Sequence, residues 1–238
     1  MHDTRPLRAA VAGLLNFAAA EEQALLLAGA EGEEGSPDRW AAVPLVAHNN
    51  QFKTQQAERL MALRAGNVPP AFAEVDHSSS EVYLGYCAVA PGDVLRECRQ
   101  VSAELTDGTW ALADEDLLDP ARHAWLNGRL LWLQIIVRGF WHPTGHLGEY
   151  YLSHGRPDRA VALAEHGLAT ARYLGAPVQA AGMAGYSLAC ALARAGRPDE
   201  AVTVLAEAIG ANPDLRVNAG RDPDLAGLRE AGLVEALR

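Results

Sequence analysis

His142 and His146 stand four residues apart in the stretch Trp141-His142-Pro143-Thr144-Gly145-His146-Leu147-Gly148-Glu149-Tyr150-Tyr151. At 3.6 residues per turn that spacing stacks both imidazoles on one helix face, close enough to grip a single ion. A pair of this kind recurs by chance and gains meaning only with a third ligand on another element, for which His48 is the candidate. Three neutral imidazoles leave one or more coordination positions open, where a divalent ion activates water or binds and polarises a thiol or carbonyl. Zinc, nickel and iron each suit imidazole, and sequence does not select among them. The competing reading is structural, since buried histidines often do no more than satisfy hydrogen bonds in a core. Pro143 adds a complication. An internal proline removes one backbone bond and crowds the carbonyl four residues back, so a kink or a restart is expected at His142.

Around these histidines several residues have both a chemical and a bland reading. Glu149, three residues past His146, is placed to orient a ligand imidazole or to act as a base; a solvent-facing glutamate paired with an arginine is the alternative. Asn49 and Gln51, beside His48, carry the same ambiguity. Tyr83 and Trp141, with Tyr86 and Trp110, are candidates to line an apolar substrate pocket, against core packing as the default for aromatics. His2, His123, His154 and His166 are expected in solvated or capping roles; for His77, whose long connection has the length to reach the bundle mouth, a site role is the alternative and the bland reading is favoured. Cys87, Cys98 and Cys190 show no paired spacing and no basic or helix-start neighbourhood that would activate a thiol. There is no phosphate-binding glycine loop, dinucleotide fingerprint or serine-nucleophile elbow.

These side chains need helices to hold them. Pro6 to Gly29 carries Leu7, Val11, Leu14, Leu15, Ala18, Leu25 and Leu26 at helical spacing, and a second amphipathic helix with His48 inside it runs from about Arg39 to Arg64. Asn67 to Ala90 is a long connection of the kind that often lines a site. A third helix is expected from Val94 to about Thr106, broken by Asp107-Gly108-Thr109 and followed by an acidic loop to Leu118. Asp119-Pro120 should open a fourth, strongly apolar helix from Ala121 to Trp141.

Nearly half of the 238 residues are apolar, with few aromatics, the composition of packed helices. The formal net charge of −10 argues against a nucleic-acid partner, which needs a clustered basic face. An odd number of unpaired cysteines fits reduced thiols in a cytoplasm. Asn16, Glu21, Glu22 and Gln23 interrupt the first apolar run, so no signal peptide or membrane span is expected.

After Tyr151 the texture changes. Gly155-Arg156-Pro157-Asp158-Arg159-Ala160 recurs as Gly196-Arg197-Pro198-Asp199-Glu200-Ala201. In each copy the Gly ends one helix, the Pro starts the next, and the Ala lets two helices pack closely. The pattern resembles the tetratricopeptide repeat, although positions 155 and 196 lie 41 residues apart against that family's period of about 34.

The N-terminal helix, the Trp40-x-x-x-Pro44-Leu45-Val46-Ala47-His48 stretch, the long excursion and the late histidine pair together resemble the DinB-like metal-binding four-helix bundles. The resemblance spans about residues 5 to 152 and departs from the simplest pattern at Pro143 and Gly145. It implies an up-down four-helix bundle over 1–152; with the repeat pattern, the expected fold is all-α, that bundle followed by two tetratricopeptide-like hairpins over 146–238 that share the junction helix. It also implies His48, His142 and His146 as ligands of a divalent transition metal. The implied function is metal-dependent hydrolysis of a small electrophilic molecule, or its transfer to a low-molecular-weight thiol, in detoxification or stress response. Homodimerisation is common in that family. The alternative is a non-catalytic module that binds a protein or peptide through its repeats.

Overall fold

The computed structural model describes residues 4–28, 33–70 and 79–233. Among these the regular elements are all helical, and the one β-type pairing is an isolated bridge between Ser36 and Arg39. The chain divides into two compact units, Met1–His146 and Leu147–Arg238, so the division falls a few residues before the expected end of the first domain.

The first unit holds α1 (Arg5–Leu27), α2 (Ala42–Arg64), α3 (Ser79–Tyr86), α4 (Pro91–Ala111), α5 (Asp114–Leu118) and α6 (Leu131–Ile136). A π-helical turn, Val137–Trp141, joins α6 to α7 (His142–Ser153). α4 packs along both α1 and α2, and α6 with the π turn closes on α1. Leu14, Leu60, Leu105, Ile135, Ile136 and Phe140 form the buried centre. By length and composition α1 would suffice to cross a membrane, Asn16 and Glu21 to Gln23 notwithstanding; 56% of its apolar window is buried inside the protein. Arg8 fastens its start, donating to Asp114 at 2.6 Å and to the Thr109 carbonyl at 2.7 Å.

Two expected boundaries are corrected. α4 runs through Asp107-Gly108-Thr109 to Ala111, because a Cβ at Gly108 would meet Leu60 Cδ1 at 3.0 Å: the glycine serves a close helix crossing and does not mark a stop. The helix expected from Ala121 begins only at Leu131. Asn127 (φ 50°) and Gly128 (φ 79°) are consecutive left-handed residues, which a right-handed helix cannot contain. The segment before them forms a single 3-10 turn, Ala124–Leu126.

The proline is accommodated ahead of itself. The His142 amide donates to the Val137 carbonyl five residues back, which widens the turn where the Pro143 ring would otherwise crowd a carbonyl. Thr144 Oγ1 donates back to the Phe140 and Trp141 carbonyls at 2.8 and 3.2 Å. His142 itself is helical, at φ −59° and ψ −51°. Gly139 lets this turn sit against the core, since a Cβ there would lie 2.2 Å from Leu15 Cδ2 and 2.7 Å from Leu105 Cδ2.

Between α1, α2 and α4 lies a buried ion pair that periodicity did not announce. Lys53 Nζ donates to Glu22 Oε2 at 2.7 Å, with Cys98 Sγ at 3.6 Å and Ser102 Oγ at 3.5 Å. Burial alone would push Lys53 down; the charge of Glu22 and the hydrogen bonds to Glu22 and Cys98 outweigh it and raise it. Burial, then Glu22, pushes the Cys98 thiol up to about 11, so it stays protonated.

The second unit contains α8 (Pro157–Tyr173), α9 (Val178–Arg194), α10 (Pro198–Ala211), α11 (Leu215–Ala219), a 3-10 turn at Pro223–Leu225 and α12 (Ala226–Glu230), with α9 packed between α8 and α10. The two Gly-Arg-Pro-Asp copies have one geometry. Gly155 (φ 68°) and Gly196 (φ 76°) are left-handed, and the Arg156 and Arg197 amides reach back to the carbonyls of Tyr151 and Leu192 at 2.8 and 2.9 Å. These are helix-ending turns that glycine favours. The prolines then open α8 and α10, and Ala160 and Ala201 are buried as expected.

Gly139→Ala is expected to lower stability by about 1 kcal/mol, because overpacking costs about 1–3 kcal/mol and alanine's helix propensity returns up to about 1. Gly145→Ala, where a Cβ meets nothing within 4 Å, should raise the melting temperature instead. Glu22→Gln, which strands a buried ammonium, should cost about 3–5 kcal/mol at pH 7 in urea unfolding. In that variant Lys53 is depressed, the unfolded chain binds more protons, and stability therefore recovers as pH rises towards about 10.4. In the wild type Lys53 is raised, so its contribution is complete at neutral pH and is lost only above the unfolded value.

Candidate metal centre

α2 and α7 position the three histidines. His48 is buried, while His142 and His146 are half-buried. The ring centres of His142 and His146 are 4.4 Å apart, and the His48 ring lies 5.4 Å from His142 and 5.0 Å from His146. One nitrogen from each can be chosen so that all three lie within 4.8 Å of one another. On a tetrahedral ion with bonds near 2.1 Å such nitrogens stand about 3.4 Å apart. The same-face expectation for His142 and His146 therefore survives the proline, because the π turn takes up the irregularity before His142.

Aromatic rings hold these imidazoles. Phe52 lies 4.1 Å from the His142 ring at 31° and 4.8 Å from His48 at 63°. Trp40 meets His48 edge-on at 5.3 Å, and its Nε1 donates to the Pro37 carbonyl at 2.9 Å, which fixes the indole. Tyr83, an expected pocket residue, is buried 6.1 Å from Trp40 and so reaches the histidines through that ring. Trp141 is half-buried, next to His142 in sequence. The amphipathic pattern of the second helix did not single out Trp40 or Phe52 as supports of the site; the four-residue spacing of His48 and Phe52 was the available signal.

Behind Phe52 the site carries cations. The Arg138 guanidinium carbon sits 4.8 Å over the Phe52 ring, and that of Arg59 sits 4.6 Å over Trp125. Burial holds both below the usual arginine range, and the charge of Arg138 lowers Arg59 further.

The remaining candidates lie elsewhere. Glu149 belongs to the second unit, where it is exposed and accepts from Arg194 at 3.2 Å. Asn49 is fully buried, and its amide has no hydrogen-bond partner among the described residues. His123, expected in a solvated or capping role, is buried beside Asp116, its Nε2 3.1 Å from the Asp116 carbonyl. His154 stacks on Tyr150 at 4.2 Å, and His166 is exposed. His2 and His77 lie outside the described residues.

A second cluster, Cys190, Asp222 and Asp224, also falls within coordinating distance. Its groups are already engaged. Tyr186 donates to Asp222 at 2.8 Å, the Cys190 thiol points to the same carboxylate, and Arg194 donates to Asp224 at 2.6 Å. Burial and the two aspartates push the Cys190 thiol well up, which suits a hydrogen-bonded strut between α9 and the 3-10 turn. No protein-family model, curated protein or solved structure matches the chain.

Proposed function

We propose that the chain is a metal-dependent enzyme of the DinB-like kind, a four-helix bundle with tetratricopeptide-like hairpins after it. It acts on a small electrophilic molecule by hydrolysis or by transfer to a low-molecular-weight thiol. The observation that carries the reading is the convergence of three imidazoles from two helices, with one nitrogen of each within 4.8 Å of the others. A divalent ion held there supplies a Lewis-acidic position open to water, thiol or carbonyl. The chain's own contribution is orientation. Phe52 and Trp40 limit rotation of the His48 and His142 rings, and the half-burial of His142 and His146 leaves one side of the cluster open to a small molecule. Glu149 is not needed in this reading, because its carboxylate is occupied by Arg194.

The alternative, a non-catalytic module that binds a peptide through its repeats, is favoured by a groove of about 210 Å³ between α8, α9 and α10, lined by Leu168, Val178, Gly182, Gly185 and Val204. The two readings differ in what metal does for the protein.

Elemental analysis of the purified protein, supplemented with zinc or nickel, should find about one ion per chain, and His48→Ala, His142→Ala and His146→Ala should each abolish it. Chelation of the loaded protein should lower its melting temperature by several degrees, since a ligand present at a hundred times its dissociation constant contributes about 2.7 kcal/mol. A folded protein that takes up neither metal overturns the reading and leaves the repeat module standing.

A further inference from the structure

α2 buries polar side chains that its neighbours answer only in part. Asn49, Lys53 and Gln56 follow one another at intervals of four and three residues, which places them on one face of the helix. Asn49, Gln56 and Glu22 are 0% exposed, and Lys53 is 1% exposed. Lys53 Nζ donates to Glu22 Oε2 at 2.7 Å. Around that pair five polar atoms have no hydrogen-bond partner among the described residues: Glu22 Oε1, both amide atoms of Asn49 and both of Gln56. Because both atoms of each amide are unanswered, turning either amide over changes nothing. A polar group taken out of water without a partner loses more than an ordinary hydrogen bond returns, and native interiors leave few of them. Five such atoms, in about two turns of one helix and the carboxylate beside it, are too many to stand dry.

We propose that the seam between α1, α2 and α4 is a binding site for internal water, held by Asn49, Gln56 and Glu22 around the Lys53 ammonium. The donors and acceptors select this ligand. Asn49 Nδ2 and Gln56 Nε2 donate, whereas Asn49 Oδ1, Gln56 Oε1 and Glu22 Oε1 accept. An anion would face a carboxylate and two carbonyls, and a cation would face the ammonium. An apolar molecule would leave all five atoms as they are. Water donates and accepts at once, and a buried water makes about three hydrogen bonds to groups of this kind. Ser102 links the seam to solvent. Its Oγ lies 3.5 Å from Lys53 Nζ, and the same residue lines a groove of about 440 Å³ between α1 and α4, beside Ala19 and Ala103. Water in the seam takes up the Glu22 oxygen that Lys53 leaves, and it softens the desolvation that burial imposes on the ammonium. None of this depends on the metal reading.

The test is oxygen-17 magnetic relaxation dispersion on the full chain, which counts water molecules held long enough to tumble with the protein. Asn49→Leu and Gln56→Met approximate the shape of each side chain and remove its amide. Each should lower the count by about one, and the double variant by about two. A crystal structure of the wild-type chain serves where a variant fails to fold, with ordered water expected about 2.7–3.2 Å from at least two of the five atoms. An unchanged count in the folded double variant overturns the proposal, and so does a crystal structure with no water at that distance from any of the five. Neither measurement reads the occupancy of the histidine cluster, so failure here and failure of the metal reading are separate results.

Discussion

The hydrogen bond from the His142 amide to the Val137 carbonyl, five residues back, sets the direction in which His142 and His146 face. One residue inserted into a helix rotates the downstream side chains by about 100° about the axis. Ile135, Ile136 and Phe140 are buried on one side of that insertion, and His142 and His146 present their rings to His48 on the other. The arrangement depends on three residues acting together. Pro143 cannot donate and would crowd a regular turn; Gly139 lets the widened turn approach Leu15 and Leu105; Thr144 answers the carbonyls of Phe140 and Trp141 with its hydroxyl. π turns concentrate at functional sites because they re-aim side chains without ending the helix.

α2 is the second constraint, because two of its faces are both polar and buried. One face carries Asn49, Lys53 and Gln56 towards α1 and α4, where Glu22 neutralises the ammonium. The other carries His48, Phe52 and Arg59. A helix that buries so many polar groups gains less from the hydrophobic effect than an amphipathic one, and it requires each charge to be answered. Replacement by apolar residues of equal volume is often neutral or stabilising in such places, so the Lys53–Glu22 pair ties α2 to α1 without being a source of net stability by itself.

Legibility tracked the length and regularity of the signal. α1, α2, the two Gly-Arg-Pro-Asp turns and the all-helical class were readable because period, proline and glycine pointed one way. Gly108 misled because a glycine inside a helix signals a break in sequence, while here it makes room for Leu60. Asp119-Pro120 misled because it has the form of a helix start, and only the left-handed Asn127 and Gly128 deny it. The histidine cluster was legible as residue types and spacing. Its supports were not, because Trp40, Phe52, Arg59 and Arg138 look like ordinary core and surface positions until α2 and the π turn are brought together. Lys53 and Glu22 were invisible for the same reason: their meaning is a distance between helices.

The net charge of the whole chain and the groups at the histidine cluster act over different distances. A formal −10 repels extended polyanions, whose binding depends on many simultaneous phosphate contacts. At physiological ionic strength such a field is screened over about 8 Å, so a small anion inside a cleft is governed by the groups it touches.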